Sequence, residues 1–201
     1  MSRYRATLEY FGKPFAGWQR QKNGFSVQQA LEEAIKNFCG QDVVTYVAGR
    51  TDAGVHALGQ VCHFEIEKKE TTKTIRNAIN FHLKPNPIIV LNVVEVDETF
   101  HARFSAKERH YRYKFINRAT PSALYSDLSW WVPQALDIDL MIEASKCLIG
   151  KHDFSTFRAA GCQAKTPVKT LNSITFWREG DEVIMDTRAK SFLYHQVRNM
   201  A

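Results

Sequence analysis

Asp52 is the strongest candidate for a catalytic side chain because of its surroundings in the sequence. It lies two residues after Arg50, in a glycine-rich loop between two hydrophobic stretches, which we name the Asp52 loop, residues 49–60. Glycine tolerates positive φ and lets a partner approach the backbone closely, and a carboxylate can act as a nucleophile or a general base. The alternative is a turn with a surface ion pair, since many loops carry such residues without chemistry.

An arginine beside Asp52 would hold its carboxylate in the charged form by Coulomb attraction and hydrogen bonding. Arg50 is one candidate for this partner. Arg198, at the inner end of the last expected helix in the second half of the chain, is another candidate. For Arg198 the alternative is a charge that balances the helix dipole.

The basic segment, residues 103–118, is where the net charge of +6 is concentrated. It carries six Lys or Arg against a single acid, Glu108, and aromatic side chains interleave with them. The functional interpretation is a nucleic-acid surface with stacking rings, and the alternative is the solvated face of an edge strand. Tyr111 and Tyr113 share one face of this strand, where either core packing or stacking on a flat base would suit them.

Metal and redox chemistry find little support in the sequence. The seven histidines show no metal-ligand spacing, and the four cysteines form no C-x-x-C pair. We therefore expect no metal site and interpret the cysteines as buried thiols in a reducing cytoplasm. His56 is interpreted as structural or RNA-facing, and the consecutive residues of 152–158 do not build a catalytic triad.

The bulk properties are those of a globular protein. The chain has 201 residues, and a hydrophobic content of 44% is ample for a core. It contains no run of 18 apolar residues and no apolar segment after the N-terminus. Neither a membrane span nor secretion is therefore expected.

The first half of the chain predicts the element order β-α-β-β-α-β. Apolar residues alternate in the strands and recur at helical spacing in the helices, and Ser26-x-x-Gln29 is typical of a helix start. The expected strands are residues 2–10, 43–48, 60–66 and 88–96, and the expected helices are 27–38 and Thr71 or Thr72 to Leu83. This order is the ferredoxin-like split βαβ unit.

The second half repeats this order without its last strand. The expected elements are a strand at 109–117, a helix from Asp137 or Asp139 to Gly150, a hairpin around Gly180-Asp181 and a helix at 192–200. We infer an α+β protein of two ferredoxin-like (split βαβ) α/β sandwich domains, residues 1–100 and 101–201, with the boundary near 97–108. The second domain would be incomplete, so that either the chain is a fragment or another chain covers the open sheet edge.

The residues Gly49–Ala57 resemble the catalytic loop of the TruA-type tRNA pseudouridine synthases. Four further segments resemble motifs of the same family in the same order, so the resemblance covers essentially the whole chain. These segments are residues 15–19, 100–113, 152–163 and 191–200. The family continues beyond the last motif, whereas this chain ends at Ala201, so a C-terminally truncated chain is expected.

This resemblance implies an isomerase that converts uridine to pseudouridine at positions 38, 39 and 40 of the tRNA anticodon stem-loop. The target base must leave its stack before its glycosidic bond can be cut and remade. The resemblance implies no cofactor and no metal, a cytoplasmic homodimer, and binding to the anticodon arm of tRNA. It also implies that the antiparallel sheets of the two halves form a central cleft.

Roles for individual residues follow from the same resemblance. Asp52 would be the nucleophile, Tyr111 would stack on the target uracil and could accept the C5 proton, and Arg198 would pair with Asp52. Arg50 would help displace the flipped nucleotide, and Leu193 would line the base pocket. The other substrate-binding residues implied are Gly54, His56, Arg109 and Arg158.

Two questions stay open in the sequence. Asp52 could attack C1′ of the ribose or C6 of the uracil, or it could assist the formation of a glycal. A non-catalytic RNA-binding module would share the ferredoxin-like order and the basic segment. Such a module would bind tRNA in a salt-dependent manner without needing Asp52.

Overall fold

The computed structural model describes all 201 residues, which fold into two compact units, Met1–Ala106 and Lys107–Ala201. The residue pattern predicts a boundary near residues 97–108, with the first domain ending at residue 100, and in the structure residues 101–106 stay with the first unit. The reason is that the Ala102 N–H donates to Nδ1 of His63 at 3.2 Å. This hydrogen bond ties the end of the segment to the first sheet.

The first unit has a four-stranded antiparallel sheet and two helices, in the predicted order. Its elements are β1 (Ser2–Tyr10), α1 (Val27–Cys39), β2 (Tyr46–Val47), β3 (Ala57–Ile66), α2 (Thr72–Leu83) and β4 (Ile88–Val96). The strands lie in the order β2-β3-β1-β4. Each helix therefore connects two strands that have a third strand between them, which confirms the ferredoxin-like prediction for this half.

Strand β1 shows the predicted alternation of buried and accessible residues. Its inward side chains are at most 3% exposed and lie in one core with apolar residues of both helices. These inward residues are Tyr4, Ala6, Leu8 and Tyr10. The alternation places one full face of β1 in the core, and burial of apolar surface is the main stabilising term.

Helix α1 begins and ends as predicted. Ser26 Oγ accepts a hydrogen bond from the Gln29 N–H at 3.1 Å, and Gly40 ends the helix with a φ of +75°. The Gln29 side chain does not return to Ser26 but donates to Glu33 at 2.9 Å. Only half of the predicted capping box therefore forms.

The second unit has a five-stranded sheet whose central strands follow the predicted split order. Its elements are β5 (Arg109–Ile116), β6 (Trp130–Trp131), α3 (Ile138–Ser145), β7 (Gly150–Asp153), β8 (Val168–Glu179), β9 (Glu182–Ala189) and α4 (Gln196–Met200). The strands lie in the order β6-β5-β9-β8-β7. The hairpin of β8 and β9 turns at Gly180, which has a φ of +59°.

Two short strands, β6 and β7, were not expected from the sequence. A two-residue or four-residue strand is too short to show alternation. β6 pairs in parallel with Phe115 and Ile116 at one end of β5, so this sheet is mixed and not wholly antiparallel. β6 lies beside β5 at the sheet edge, the position that β4 holds beside β1 in the first unit.

Two expected elements near the Asp52 loop have different bounds in the structure. The strand expected at 43–48 shrinks to Tyr46–Val47, because the Thr45 N–H donates to the Glu32 carboxylate at 2.9 Å. β3 begins at Ala57, so the last four residues of the Asp52 loop already belong to a strand.

Both helices of the second unit are shorter than expected. α3 ends at Ser145 and passes into a 3-10 turn, and Gly150 opens β7 instead of ending the helix. α4 begins at Gln196 and not at Phe192, because His195 has a φ of +58°. The side chain of Gln196 accepts the Leu193 N–H at 2.8 Å, so a side chain of α4 holds the segment that precedes the helix.

Candidate functional site

The Asp52 loop is closed by a tight turn at its centre. The Val55 N–H donates to the Asp52 carbonyl at 3.1 Å, and Gly54 adopts a φ of +79° within this turn. Side chains other than glycine rarely adopt that conformation. The turn leaves Asp52 half-buried and Arg50 exposed.

A second loop holds the Asp52 loop from outside, and we name it the glycine strap, residues 11–18. The Trp18 N–H donates to the Thr51 carbonyl at 2.9 Å. Gly17 has a φ of +99°, and a Cβ at this position would lie 2.7 Å from the same carbonyl oxygen. A Cβ on Gly12 would overlap with the Val55 carbonyl. The two backbones therefore approach each other at distances that only glycine permits.

The glycine strap is fixed in turn to the start of helix α1. The Val27 N–H donates to the Gly17 carbonyl at 3.2 Å, and the Gln28 N–H donates to the Trp18 carbonyl at 2.9 Å. These N–H groups have no partner within the helix. The Trp18 side chain is 1% exposed in the first core. The strap thus connects the core to the residue that precedes Asp52.

His56 has a structural role in the same arrangement. Its Nδ1 accepts the Gly12 N–H at 3.0 Å, and its ring lies 4.6 Å from that of Phe11. The imidazole therefore joins the far end of the Asp52 loop to the glycine strap. Of the two interpretations of His56, the structural one is directly observed.

Sequence reasoning missed the supporting role of Gly12, Gly17 and Trp18. The motif of residues 15–19 was noted only for its resemblance. The available signal was the presence of two glycines and a tryptophan in one short loop, since a large apolar ring in a loop is usually buried in a neighbouring core.

In the second unit, Tyr111 and Tyr113 lie on the same face of β5, as predicted. Tyr113 packs on Phe115 with the ring centroids 5.1 Å apart, and it borders the second core. Tyr111 is half-buried, and its ring meets that of Phe192 edge-on at 5.2 Å. Core packing therefore accounts for Tyr113, and Tyr111 is the better candidate for contact with a base.

The segment with Leu193 and Arg198 is tied to the loop of residues 157–164. The Ala159 N–H donates to the Tyr194 carbonyl at 3.1 Å, and Asn199 Nδ2 donates to the Phe157 carbonyl at 3.0 Å. Arg198 is exposed on α4, whereas Leu193 is only 4% exposed and belongs to the second core. Little of the Leu193 side chain is therefore accessible to a base.

Arg158 and Arg109 both donate to backbone carbonyls of their own unit. Arg158 Nη2 reaches the carbonyls of Cys162 at 2.8 Å and Ala164 at 3.1 Å. Arg109 Nη1 donates to the Lys190 carbonyl. A guanidinium has five N–H donors, and these contacts use one nitrogen of each side chain.

Half of the six cations in the basic segment are paired with acids of the neighbouring hairpin. Three of its cations form ion pairs, and these pairs are Arg112–Asp186, Lys114–Glu182 and Arg118–Asp181. The Arg112 pair is bidentate, at 2.8 Å and 3.0 Å. Hydrogen bonds from Arg112 lower the pKa of the Asp186 carboxyl. The three ion pairs favour the interpretation of this segment as the solvated face of a strand over that of a nucleic-acid surface.

A ring cluster around His63 lies outside the predicted site. His63 is 3% exposed, and its ring lies 5.0 Å from that of Tyr46 and 4.7 Å from that of His101. Burial, with the neighbouring His101 and Arg3 charges, lowers the pKa of His63 to about 4. A neutral imidazole is required here, because Nδ1 accepts the Ala102 N–H.

The remaining expectations concern metals, thiols and membranes. No group of three or more His, Cys, Asp or Glu side chains is arranged to hold a metal ion. All four cysteines are free, but only Cys62 is buried and Cys147 is exposed, which corrects the expectation of buried thiols. None of the helices combines the length and apolar character that a membrane crossing requires.

Comparison with known proteins gives a consistent result. The model of a family described as tRNA pseudouridine synthase matches residues 6–105 and 144–201. A tRNA pseudouridine synthase A of Paramagnetospirillum magneticum is 52% identical over 200 residues, which is 100% of this chain and 78% of that protein. Proteins of the same name from Rhodospirillum centenum and Bartonella quintana are 54% and 49% identical, over 100% of this chain and 82% of their own length.

Proposed function

The chain belongs to the tRNA pseudouridine synthase family, and we propose that it converts uridine to pseudouridine at positions 38, 39 and 40 of the tRNA anticodon stem-loop. The activity is that of an isomerase. The observation that carries the proposal is the Asp52 loop, held rigidly by the glycine strap in a chain that matches tRNA pseudouridine synthases over its whole length.

The reaction exchanges one bond to the ribose for another. The N1–C1′ bond breaks, the C5–C1′ bond forms, the C5 proton leaves to solvent, and N1 gains a proton. No electrons enter or leave, so nucleophilic and acid–base groups suffice for it. A carboxylate held in a fixed geometry is suited to this chemistry, because a bound near-attack arrangement removes most of the entropic cost.

Asp52 is proposed as the nucleophile on the flipped-out uridine. Three courses are open to its carboxylate, namely attack at C1′, attack at C6 and assistance to a glycal. All three need the ionised form. We propose that Arg198 supplies the positive charge that favours this form.

The other roles are proposed on the same basis. Tyr111 stacks on the target uracil and accepts the C5 proton, and its contact with Phe192 supports a fixed ring orientation. Arg50, which is exposed, helps to displace the flipped nucleotide. Leu193 lines the base pocket only through the small part of its side chain that is exposed. The remaining proposed substrate contacts are Gly54, His56, Arg109 and Arg158.

We further propose that the protein acts as a homodimer in the cytoplasm. One tRNA would then bind across both copies through its anticodon arm. Static light scattering with and without tRNA measures both the subunit number and the stoichiometry of the complex. A monomer that forms a fully active one-to-one complex would contradict this part of the proposal.

Tritium release from tRNA labelled at C5 of uridine tests the proposed reaction. The wild-type protein is expected to release tritium from an unmodified transcript that has uridine at positions 38 to 40. A matched transcript with cytidine at all three positions should release none. Release from the cytidine transcript would contradict the proposed positions, and no release from the first transcript would contradict the activity.

A further inference from the structure

Three side chains form a continuous chain of hydrogen bonds, two of them in the Asp52 loop (Thr51 and Gln60) and one on β1 (Tyr10). Gln60 Nε2, on β3, donates to the Gly49 carbonyl at 2.9 Å and contacts the Tyr10 hydroxyl at 3.3 Å. The Tyr10 hydroxyl, at the end of β1, lies 2.7 Å from Thr51 Oγ1. The chain therefore reaches both residues that flank Arg50.

The direction of these hydrogen bonds follows from the backbone groups at one end. The Gly49 carbonyl can only accept, and the Val61 N–H, which meets Gln60 Oε1 at 3.2 Å, can only donate. The Gln60 amide is thus fixed with its NH2 group towards Tyr10. Since the Tyr10 oxygen accepts from Gln60, its own proton goes to Thr51 Oγ1.

Tyr10 is well suited to act as a fixed donor. Its side chain is 3% exposed, and its ring packs 6.2 Å from that of Trp18. Burial raises the pKa of the Tyr10 hydroxyl, against the lowering effect of its hydrogen bonds to Thr51 and Gln60. The group therefore stays protonated at neutral pH.

Thr51 is held at two separate points. Its side-chain oxygen accepts from Tyr10, and its carbonyl oxygen accepts the Trp18 N–H at 2.9 Å. A residue held at both its side chain and its carbonyl cannot rotate the peptide that leads into Asp52. The backbone that carries the Asp52 carboxylate is therefore pre-oriented.

We propose that Tyr10 and Gln60 are positioning residues that orient the Asp52 carboxylate through Thr51 and Gly49. The inference rests on the proposed role of Asp52. Displacement of a catalytic group by about 1 Å can cost about a hundredfold in rate. A loop that loses one of several restraints should lose less, and we expect about a tenfold fall in kcat.

Kinetics of Tyr10→Phe, Thr51→Val and Thr51→Ser test this inference. Tyr10→Phe and Thr51→Val should lower kcat about tenfold with the KM for tRNA changed less than about twofold. Thr51→Ser keeps the hydroxyl and should restore most of kcat. Tyr4→Phe is the matched control, because Tyr4 is a buried tyrosine of the same strand whose ring packs on Phe64, and it should leave kcat unchanged.

Amide hydrogen exchange provides a readout that does not depend on turnover. The Trp18 N–H should exchange faster in Tyr10→Phe than in the wild type, and at the wild-type rate in Tyr4→Phe. If the wild-type protein has no activity, the proposed function fails. Amide hydrogen exchange alone then decides whether Tyr10 restrains Thr51. Wild-type kcat in Tyr10→Phe, or equal effects of Tyr10→Phe and Tyr4→Phe in both measurements, would overturn the inference.

Discussion

At the residue scale, the shape of the Asp52 loop depends on glycines outside it. Gly17 needs its hydrogen side chain for two reasons, since its φ is +99° and a Cβ would lie 2.7 Å from the Thr51 carbonyl oxygen. Gly40 shares only the first reason, because its φ is +75° and nothing lies within 4 Å of a Cβ there. A comparison of substitutions at Gly17 and Gly40 therefore separates the cost of backbone strain from the cost of crowding.

Gly17→Ala is expected to destabilise the protein more than Gly40→Ala. The strained φ should cost about 1 kcal/mol in both variants, and crowding against a backbone carbonyl should add about 1–3 kcal/mol in Gly17→Ala. Urea denaturation measures the free energies of unfolding. Equal losses in the two variants would show that the strap can move away from the Asp52 loop.

His63 is expected to make stability depend on pH. Its pKa in the folded protein is about 4, below the usual 6.5, because it is buried beside His101 and Arg3. The unfolded chain therefore binds a proton that the folded chain excludes, and stability is full above pH 6.5 and falls as the pH drops towards 4. The loss between pH 7 and pH 5 should be about 2 kcal/mol.

The measurement is the free energy of unfolding at pH 7 and pH 5 for the wild type and for His63→Asn. The variant amide can still accept the Ala102 N–H but does not titrate. Its loss between the two pH values should be about 2 kcal/mol smaller than that of the wild type. His82→Asn serves as a control histidine, and an equal pH dependence in wild type and His63→Asn would exclude His63 as the source.

At the element scale, the long elements were predictable and the short ones were not. β1 and α1 carry clear periods of two and of 3.6 residues, and both formed where expected. β6 and β7 are too short to show a period of buried and exposed residues. The start of α4 depends on the positive φ of His195, which a sequence pattern of apolar residues does not reveal.

Helix α1 also contains a buried charge that its apolar pattern concealed. Glu32 is 7% exposed, and its carboxylate accepts from the Thr45 N–H at 2.9 Å and from Gln28 Nε2 at 2.9 Å. It also pairs with Arg20 at 3.3 Å. The carboxylate therefore connects α1 to the chain that leads into β2 and the Asp52 loop.

Glu32→Ala is expected to destabilise the first unit by about 3 kcal/mol, because it leaves the buried Thr45 N–H without an acceptor. Glu33→Ala is the matched control on the same helix. Glu33 is exposed, so its loss should stay within about 0.5 kcal/mol. Thermal unfolding followed by circular dichroism compares the two, and a small effect of Glu32→Ala would mean that water replaces the carboxylate.

At the scale of the whole molecule, three of the six cations of the basic segment are engaged in ion pairs with acids of the second unit. Arg112 is engaged with Asp186, while Lys107 is exposed at the start of the second unit. The clustered charge left both a nucleic-acid surface and a solvated strand face open, and it did not show which cations form ion pairs. The ion pairs come from the register of β5 on β9, which only the folded sheet defines.

Lys107→Ala and Arg112→Ala should therefore affect tRNA binding differently. Removing Lys107 should lower the slope of log K against log salt concentration by about 1, as expected for one lost phosphate contact. Arg112→Ala should leave the slope unchanged and lower stability, because Asp186 loses its bidentate partner. Filter binding over a salt series measures the slope. A larger change of the slope in Arg112→Ala than in Lys107→Ala would show that the basic face of β5 contacts tRNA.

The two candidate catalytic segments belong to different units, and the sequence predicted both but not the contacts that hold them. Asp52 and Arg198 were predicted from residue types and resemblance. The glycine strap and the loop of residues 157–164, which hold these segments, depend on backbone hydrogen bonds between distant residues. Such contacts carry no local signal in a single sequence.

Tritium release by Asp52→Asn tests the central claim most directly. Asparagine keeps the shape of the side chain and removes its charge, and Asp42→Asn is the control because Asp42 is an exposed carboxylate paired with Lys36. Asp52→Asn should bind tRNA and release no tritium, while Asp42→Asn should release it at the wild-type rate. Turnover by Asp52→Asn at a rate near that of the wild type would contradict the account.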